Sequence, residues 1–285
     1  MEIIDISNWT ELEDREASGT REKAWYKNNG KTYLFKYVKS PGEAWAEKIA
    51  SDVGNNIFHV PVAKYYIAKK DGVIGCLSEN VVDSSKNEEL YEISDLMCNI
   101  HEDFDSKNLA HYNIKRVLEI VEGNGILPFF YDMCLFDFII VNQDRHCENW
   151  GIIRINNSIT PSPLYDNGSS LGNNLSEKDI QIYLGKDANA FAGFNRRTKT
   201  QFTIEEKKKP KAKKLITYLY KYNYNVFKKS SYKFVNFNAS MLDNIIKSIP
   251  YDIMSESQKK FVSKLLFFRI NMVRQFVDEG GNWYD

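Results

Sequence analysis

The chain predicts an α+β fold, with a strand-rich N-terminal part holding one helix and then a mainly helical part interrupted by one hairpin. Three observations carry this. Asn28-Asn29-Gly30 lies between two aromatic-rich runs, the second of which alternates Tyr33, Phe35 and Tyr37 with Leu34, Lys36 and Val38. Asn-Gly between alternating runs signals a hairpin, because both residues tolerate the positive φ that the tight turn requires. From about Asp83 the apolar residues recur at helical spacing. The stretch "WGIIRINNSITPSPLYD" then returns to the period of strands, with Asn156-Asn157 as its turn.

The elements follow in order. "SPGEAWAEKIASDVGNN" reads as a helix, with Ser40 placed to cap it, Pro41 suited to the first turn and Gly54 placed to stop it. "VPVAKYYIA" and "GVIGCLSENVV" read as strands joined around Asp71-Gly72. "EISDLMCNI", "YNIKRVLEIVE" and "LPFFYDMCLFDFIIV" have helical length and spacing, and the third is apolar nearly all round, which predicts a buried helix. Residues 168–203 are rich in Asn and Gly and weakly patterned. "KKLITYLYKYNYNVF", "ASMLDNIIKSI" and "SQKKFVSKLLFFRINMVRQFVDE" read as closing helices.

With 285 residues, 43% of them apolar, the chain can build one large domain or two lobes around a full core. A formal net charge of zero gives no global attraction to nucleic acid. The four cysteines, Cys76, Cys98, Cys134 and Cys147, form no C-x-x-C and suit a reducing cytoplasm. "MEIIDISNWTELEDREASG" is acidic and lacks the basic and apolar regions of a signal peptide, and no run of residues is apolar enough to predict a membrane span.

Several polar residues fall where the pattern expects burial. Lys36 sits inside a strand, where an unpaired ammonium is costly. Glu43 and Glu47 lie on one face of the following helix. Asp144 and Asn149 lie in "VNQDRHCENWGII", between a buried helix and a strand, and Asp166 closes the hairpin in "LYDNG". Phosphoryl transfer asks for such a set: a cation on the nucleotide phosphates, a carboxylate to fix it, a carboxylate beside the attacking hydroxyl, and oxygen ligands for a metal. Asp144 and Asn149 also have the spacing of the catalytic Asp and metal-binding Asn of protein kinases, and Asp166-Asn167-Gly168 matches the Asp-x-Gly that follows them. Arg145 suits pairing with a carboxylate or a phosphate, and His146, with no second ligand at metal spacing, reads as a structural histidine. The cluster Lys207, Lys208, Lys209, Lys211, Lys213 and Lys214 reads first as a solvated helix start and second as an anion-facing patch, and Arg196-Arg197 as a candidate for substrate docking.

The stretches "SGTREKAW", "LFKYV", "GEAWAEKIASDVG", "NQDRHCENWGII" and "PLYDNGSSL", within residues 18–171, resemble the HipA-like kinases, the serine/threonine kinase toxins of bacterial toxin–antitoxin systems. The Asp-Arg-His order is shared with that family and with the phosphatidylinositol 3/4-kinases. The resemblance implies a two-lobed protein-kinase-like fold, with an N-lobe over 1–82 and a C-lobe over 83–285. It implies ATP and Mg²⁺ as cofactors. Lys36 would contact the α- and β-phosphates, with Glu43 as its partner and Glu47 as the alternative. Asp144 would orient or deprotonate the acceptor hydroxyl, and Asn149 and Asp166 would hold the metal. Ser18, Gly19, Thr20, Arg21 and Lys23 would form the phosphate loop, and Leu77, Glu79 and Val81 would belong to the hinge that reads adenine.

Aligned on Gly19, the position of the family's regulatory serine holds Glu16, with Ser18 and Thr20 as the nearest hydroxyls. The phosphate loop starts so early that a single-domain member of the family is the closer comparison. The implied partners are a protein with a Ser or Thr acceptor and an antitoxin or regulatory protein, in the cytoplasm, with nucleic acid not directly indicated. The alternatives are a phosphatidylinositol-like lipid kinase and a nucleotide-binding module with little catalysis.

Overall fold

In the computed structural model, residues 1–13 and 22–283 are described. The N-terminal strands are β1 (Ile4–Asp5), β2 (Thr10–Glu11), β3 (Lys23–Asn28), β4 (Lys31–Tyr37), β5 (Tyr65–Lys70) and β6 (Val73–Glu79). They form one sheet in the order β1-β5-β6-β4-β3-β2, antiparallel except for the β1–β5 pair. The β3–β4 hairpin turns on Asn29 and Gly30, both at positive φ, as the Asn-Gly signal predicts.

Side-chain alternation sorts this sheet into two faces. Phe35, Leu77, Tyr26 and Ala68 pack with Ile6 into a small core on one face. The opposite face carries Lys36, Cys76 and Ile67, and packs on helix α1 (Pro41–Val53), whose Ala46, Ile49 and Ala50 join the main core. The strand period thus places Lys36 on the inner face, among groups that can answer its charge.

Two details of α1 differ from the sequence reading. Ser40 makes no side-chain cap, leaving Pro41 as the start signal. Gly54 keeps a right-handed conformation, and the chain runs on through a π-helical turn, Gly54–Phe58, that ends at a left-handed His59. Gly54 is needed for space instead, since a Cβ there would lie 2.3 Å from Val62 Cγ2.

A second sheet, β7 (Glu88–Glu92), β8 (Gly151–Ile155) and β9 (Ser158–Pro161), is antiparallel. β8–β9 is the expected hairpin. β7 departs from the sequence expectation, because "EELYE" is charged and none of its residues is fully buried. The helices are α2 (Ile93–Ile100), α3 (Ile114–Gly123), α4 (Leu127–Ile140), α5 (Glu177–Leu184), α6 (Ala188–Arg197), α7 (Ala212–Tyr222), α8 (Tyr224–Val235), α9 (Ala239–Ser248) and α10 (Glu256–Asp278).

Every residue of α4 from Phe129 to Ile140 is buried, as its all-round apolarity predicts. The weakly patterned stretch holds α5 and α6. The stretch Lys213 to Phe227, expected as one helix, divides at Asn223, which ends α7 and caps α8 by accepting from the Val226 N–H. No helix of the described residues is long and apolar enough to cross a membrane.

Candidate active site

Strand β4 delivers Lys36, and α1 delivers two glutamates one turn apart. Lys36 Nζ lies 2.7 Å from Asp166 Oδ1 and 3.1 Å from Glu43 Oε1, with its side chain only 15% exposed. Burial pulls the lysine pKa down, but Asp166, Glu47 and Glu43 outweigh it, and the ammonium ends above its ordinary value. Lys36 is therefore a firmly charged cation between two carboxylates, with the Glu47 carboxyl close by. Directly across the ladder from Lys36 stands Lys23, so both lysines project from the same face. Burial and the charge of Lys36 hold the Lys23 pKa below its ordinary value. Two cations side by side suit a polyphosphate better than a single carboxylate.

The two glutamates divide their contacts. Glu43 is the one within ion-pair distance of Lys36. Glu47 is fully buried and accepts the Asn167 backbone N–H at 2.8 Å. Burial, with Asp166 next, pushes its carboxyl up to about 8.

The catalytic-type loop leaves α4 through Val141, a β-branched residue at φ +57. Such a conformation costs of order 1–3 kcal/mol and is kept only where the surroundings impose it. The loop is organised around buried Arg145. Its Nε and Nη2 lie 3.0 and 2.9 Å from the two oxygens of Asp137 on α4, a bidentate pair. Its Nη1 donates to the carbonyls of Asn149 at 2.9 Å and Tyr165 at 2.7 Å, and Nη2 also donates to Asn167 Oδ1. One guanidinium thus ties the end of α4, the loop and the Asp166 turn together. The carboxylate partner expected for Arg145 is Asp137.

Within the loop, Asn142 Oδ1 accepts the Asp144 N–H at 3.0 Å, and Asn149 Nδ2 donates to the Asp144 carbonyl at 3.0 Å. The amide of Asn149 is spent on the loop, so its Oδ1 is what the side chain can offer a cation. The Asp144 side chain is only half-buried. Its Oδ1 accepts from Gln201 Nε2 at 3.0 Å, and the same amide nitrogen reaches the Gln143 carbonyl at 2.9 Å. The second carboxylate oxygen of Asp144 has no hydrogen bond among the described residues. His146 remains half-exposed beside Glu148, its Nδ1 3.4 Å from the Glu148 N–H.

Asp166 adopts a left-handed conformation, φ +57, and its N–H donates to the Tyr65 hydroxyl at 3.2 Å. Burial works against its charge, but Lys36 outweighs it and holds the carboxyl below its ordinary range. The carboxylate is 42% exposed, so it faces outward as well as toward Lys36. Asp166 and Asn149 together present only oxygen donors. That suits a hard cation such as Mg²⁺, which usually takes one or two protein oxygens and completes its shell with phosphates and water. Among the described residues no group of three or more His, Cys, Asp or Glu could hold a metal alone.

The structure thus brings Lys36, Glu43 and Asp166 into contact, sets Lys23 beside them, and joins Asp144 and Asn149 to the Asp166 turn through Arg145. Ser18, Gly19, Thr20 and Arg21, with Glu16, lie outside the described residues. Leu77 is paired within the sheet and buried on the face opposite Lys36, so its side chain points away from the site. The Glu79 N–H donates to Lys64 and the Asn80 N–H to Thr32, while Val81 spends its N–H on no group among the described residues. Gln201 escaped the sequence reading because it lies in the weakly patterned stretch; its one signal was polarity next to Phe202 in a run that turns out buried.

A six-stranded sheet with one packed helix, a buried helix leading to a polar loop, and a hairpin ending in Asp-x-Gly define a kinase-like α+β fold. The chain has the fold of the Helicobacter pylori proinflammatory kinase CtkA, with a TM-score of 0.81 and 20% identity over 98% of this chain and 99% of that one. It is also similar to HipA of Shewanella oneidensis MR-1, solved in a toxin–antitoxin complex with HipB and operator DNA, with a TM-score of 0.53 and 13% identity over 95% of this chain and 68% of that one. The fold is therefore that of the HipA-like kinases. No family model matches the chain, and no curated protein matches it in sequence.

Proposed function

We propose that the chain is an ATP- and Mg²⁺-dependent kinase that transfers the γ-phosphoryl group to a Ser or Thr hydroxyl of a protein in the cytoplasm. The observation that carries this reading is Lys36, held between Glu43 and Asp166 while Asp144 and Asn149 sit on a loop locked to the Asp166 turn. Bound ATP and Mg²⁺ would supply the phosphoryl group and neutralise the charge that develops on it. Lys36 and Lys23 would bind phosphate oxygens, and Glu43 would keep Lys36 aimed. Asn149 Oδ1 and the Asp166 carboxylate would hold the metal, and the Val81 N–H would read the base. Asp144, with one oxygen fixed by Gln201, would orient the acceptor hydroxyl with the other and take its proton as the phosphate bond forms. An antitoxin-type partner belongs to the same reading, supported by the neighbour solved with HipB.

The test is transfer from γ-labelled ATP with Mg²⁺, offered a cell lysate and, separately, phosphoinositide vesicles. Label on protein serine or threonine supports the reading, and label on lipid moves it to a lipid kinase. Nucleotide binding with no labelled product leaves a binding module. Asp144→Ala should lower transfer on the order of 10²-fold or more, the scale of a lost general base.

A further inference from the structure

Glu47 has no part in the roles above, yet its position is costly. Its carboxyl is fully buried on α1, and its Oε1 has no partner among the described residues. An apolar side chain of similar size would avoid that desolvation. What the carboxyl gains is one specific contact, Oε2 accepting the Asn167 backbone N–H at 2.8 Å. Asn167 follows Asp166, and its own side chain is held from the opposite side by Arg145. The next residue, Gly168, is packed so closely on α1 that a Cβ would lie 2.8 Å from Glu43 Cγ and 3.3 Å from Glu47 Oε1. The turn is gripped on two sides, with Asp166 left-handed at its head.

We propose that Glu47 is a positioning residue: its buried oxygen fixes the backbone of the Asp166-Asn167-Gly168 turn and thereby aims the Asp166 carboxylate at the metal. The inference rests on the kinase reading of this site and deepens it. It gives the two glutamates separate tasks, Glu43 for the lysine and Glu47 for the metal-binding turn. The task of Glu47 depends on an acceptor oxygen at a set reach and not on its charge.

Two variants separate these properties. Glu47→Gln keeps an acceptor at the same reach and removes the ionisable carboxyl. Glu47→Asp keeps the carboxyl and withdraws the oxygen by one methylene. The readouts are the Mg²⁺ dependence of nucleotide binding, the Mg²⁺ half-saturation and kcat of transfer, and backbone hydrogen exchange over 164–171. Glu47→Gln should stay within about threefold of the parent in Mg²⁺ half-saturation, and Glu47→Asp should raise it by about tenfold, the upper scale of one lost hydrogen bond between neutral groups. Exchange over 164–171 should quicken in Glu47→Asp alone. Equal behaviour of the two variants, or damage confined to Glu47→Gln, would overturn the inference. If the parent binds Mg²⁺-nucleotide but transfers no phosphate, the kinase reading fails while the binding and exchange readouts still decide the role of Glu47. If it binds no Mg²⁺-nucleotide at all, both fail.

Discussion

Gln201 Nε2 lies 3.0 Å from Asp144 Oδ1 across a sequence separation of 57 residues, so a segment well beyond the hairpin reaches back to steady the catalytic-type loop. The amide also holds the Gln143 carbonyl, which fixes it between two loop atoms. Gln201→Ala should therefore free the Asp144 carboxylate to rotate. We expect transfer to fall by about tenfold or more, the scale of one lost hydrogen bond to a charged group, mainly in kcat and with the KM for ATP little changed. Steady-state kinetics against ATP checks this, and an effect confined to KM would count against it.

Lys36 lies between Asp166 and Glu43, so its removal leaves two carboxylates facing one another. Lys36→Met should destabilise the fold by about 2–3 kcal/mol, less than a fully buried pair because Asp166 is 42% exposed. Adding Glu43→Gln to that background should recover part of the loss. Denaturant unfolding of the two single variants and the double variant gives the coupling directly; strict additivity would contradict the pairing of Lys36 with both carboxylates.

The raised pKa of Glu47 makes stability depend on pH with a definite sign. The folded chain holds this proton up to about pH 8, whereas the ordinary value is 4.5. The stabilisation it gives is fully present below pH 4.5 and is lost as pH rises through 8. Between pH 5 and 9 the parent should lose more thermal stability than Glu47→Gln, which has no such proton. Parallel Tm profiles for the two proteins would contradict the assignment.

Gly168→Ala places a methyl 2.8 Å from Glu43 Cγ and so pushes the turn away from α1. Overpacking of this kind costs typically about 1–3 kcal/mol. Here it should also weaken Mg²⁺-dependent nucleotide binding, because the displaced turn carries Asp166. Titration of Mg²⁺ against nucleotide binding in the folded variant tests this. An unchanged Mg²⁺ requirement would show that the turn has more freedom than its packing implies.

Much of the site was legible because polar residues stood where periodicity demanded apolar ones. Lys36 broke a strand and Asp144 followed a helix buried on every side, while Asp166 closed a hairpin. What the sequence hid was set by tertiary reach. Gln201 acquires meaning only when residues 198–202 fold against the loop. Glu43 and Glu47 share a helix face, and only their distances separate one from the other. Helices α5 and α6 were missed because each buries so little, Ile180 in one and Phe191 and Asn195 in the other, that no helical stripe marks them. The break at Asn223 was masked by tyrosines that continue the helical spacing on either side.

The direct contact between Lys36 and Asp166 has a consequence for how ligands enter. As found, each group satisfies the other. A polyphosphate arriving alone would take Lys36 and strand an acid, and a divalent cation arriving alone would take Asp166 and leave Lys36 with Glu43 as its one remaining carboxylate partner among the described residues. When both arrive, the partners are simply exchanged and neither group is orphaned. Nucleotide and metal should then each raise the affinity for the other, so that the pair acts as a two-key lock in which free phosphate or a stray cation turns nothing.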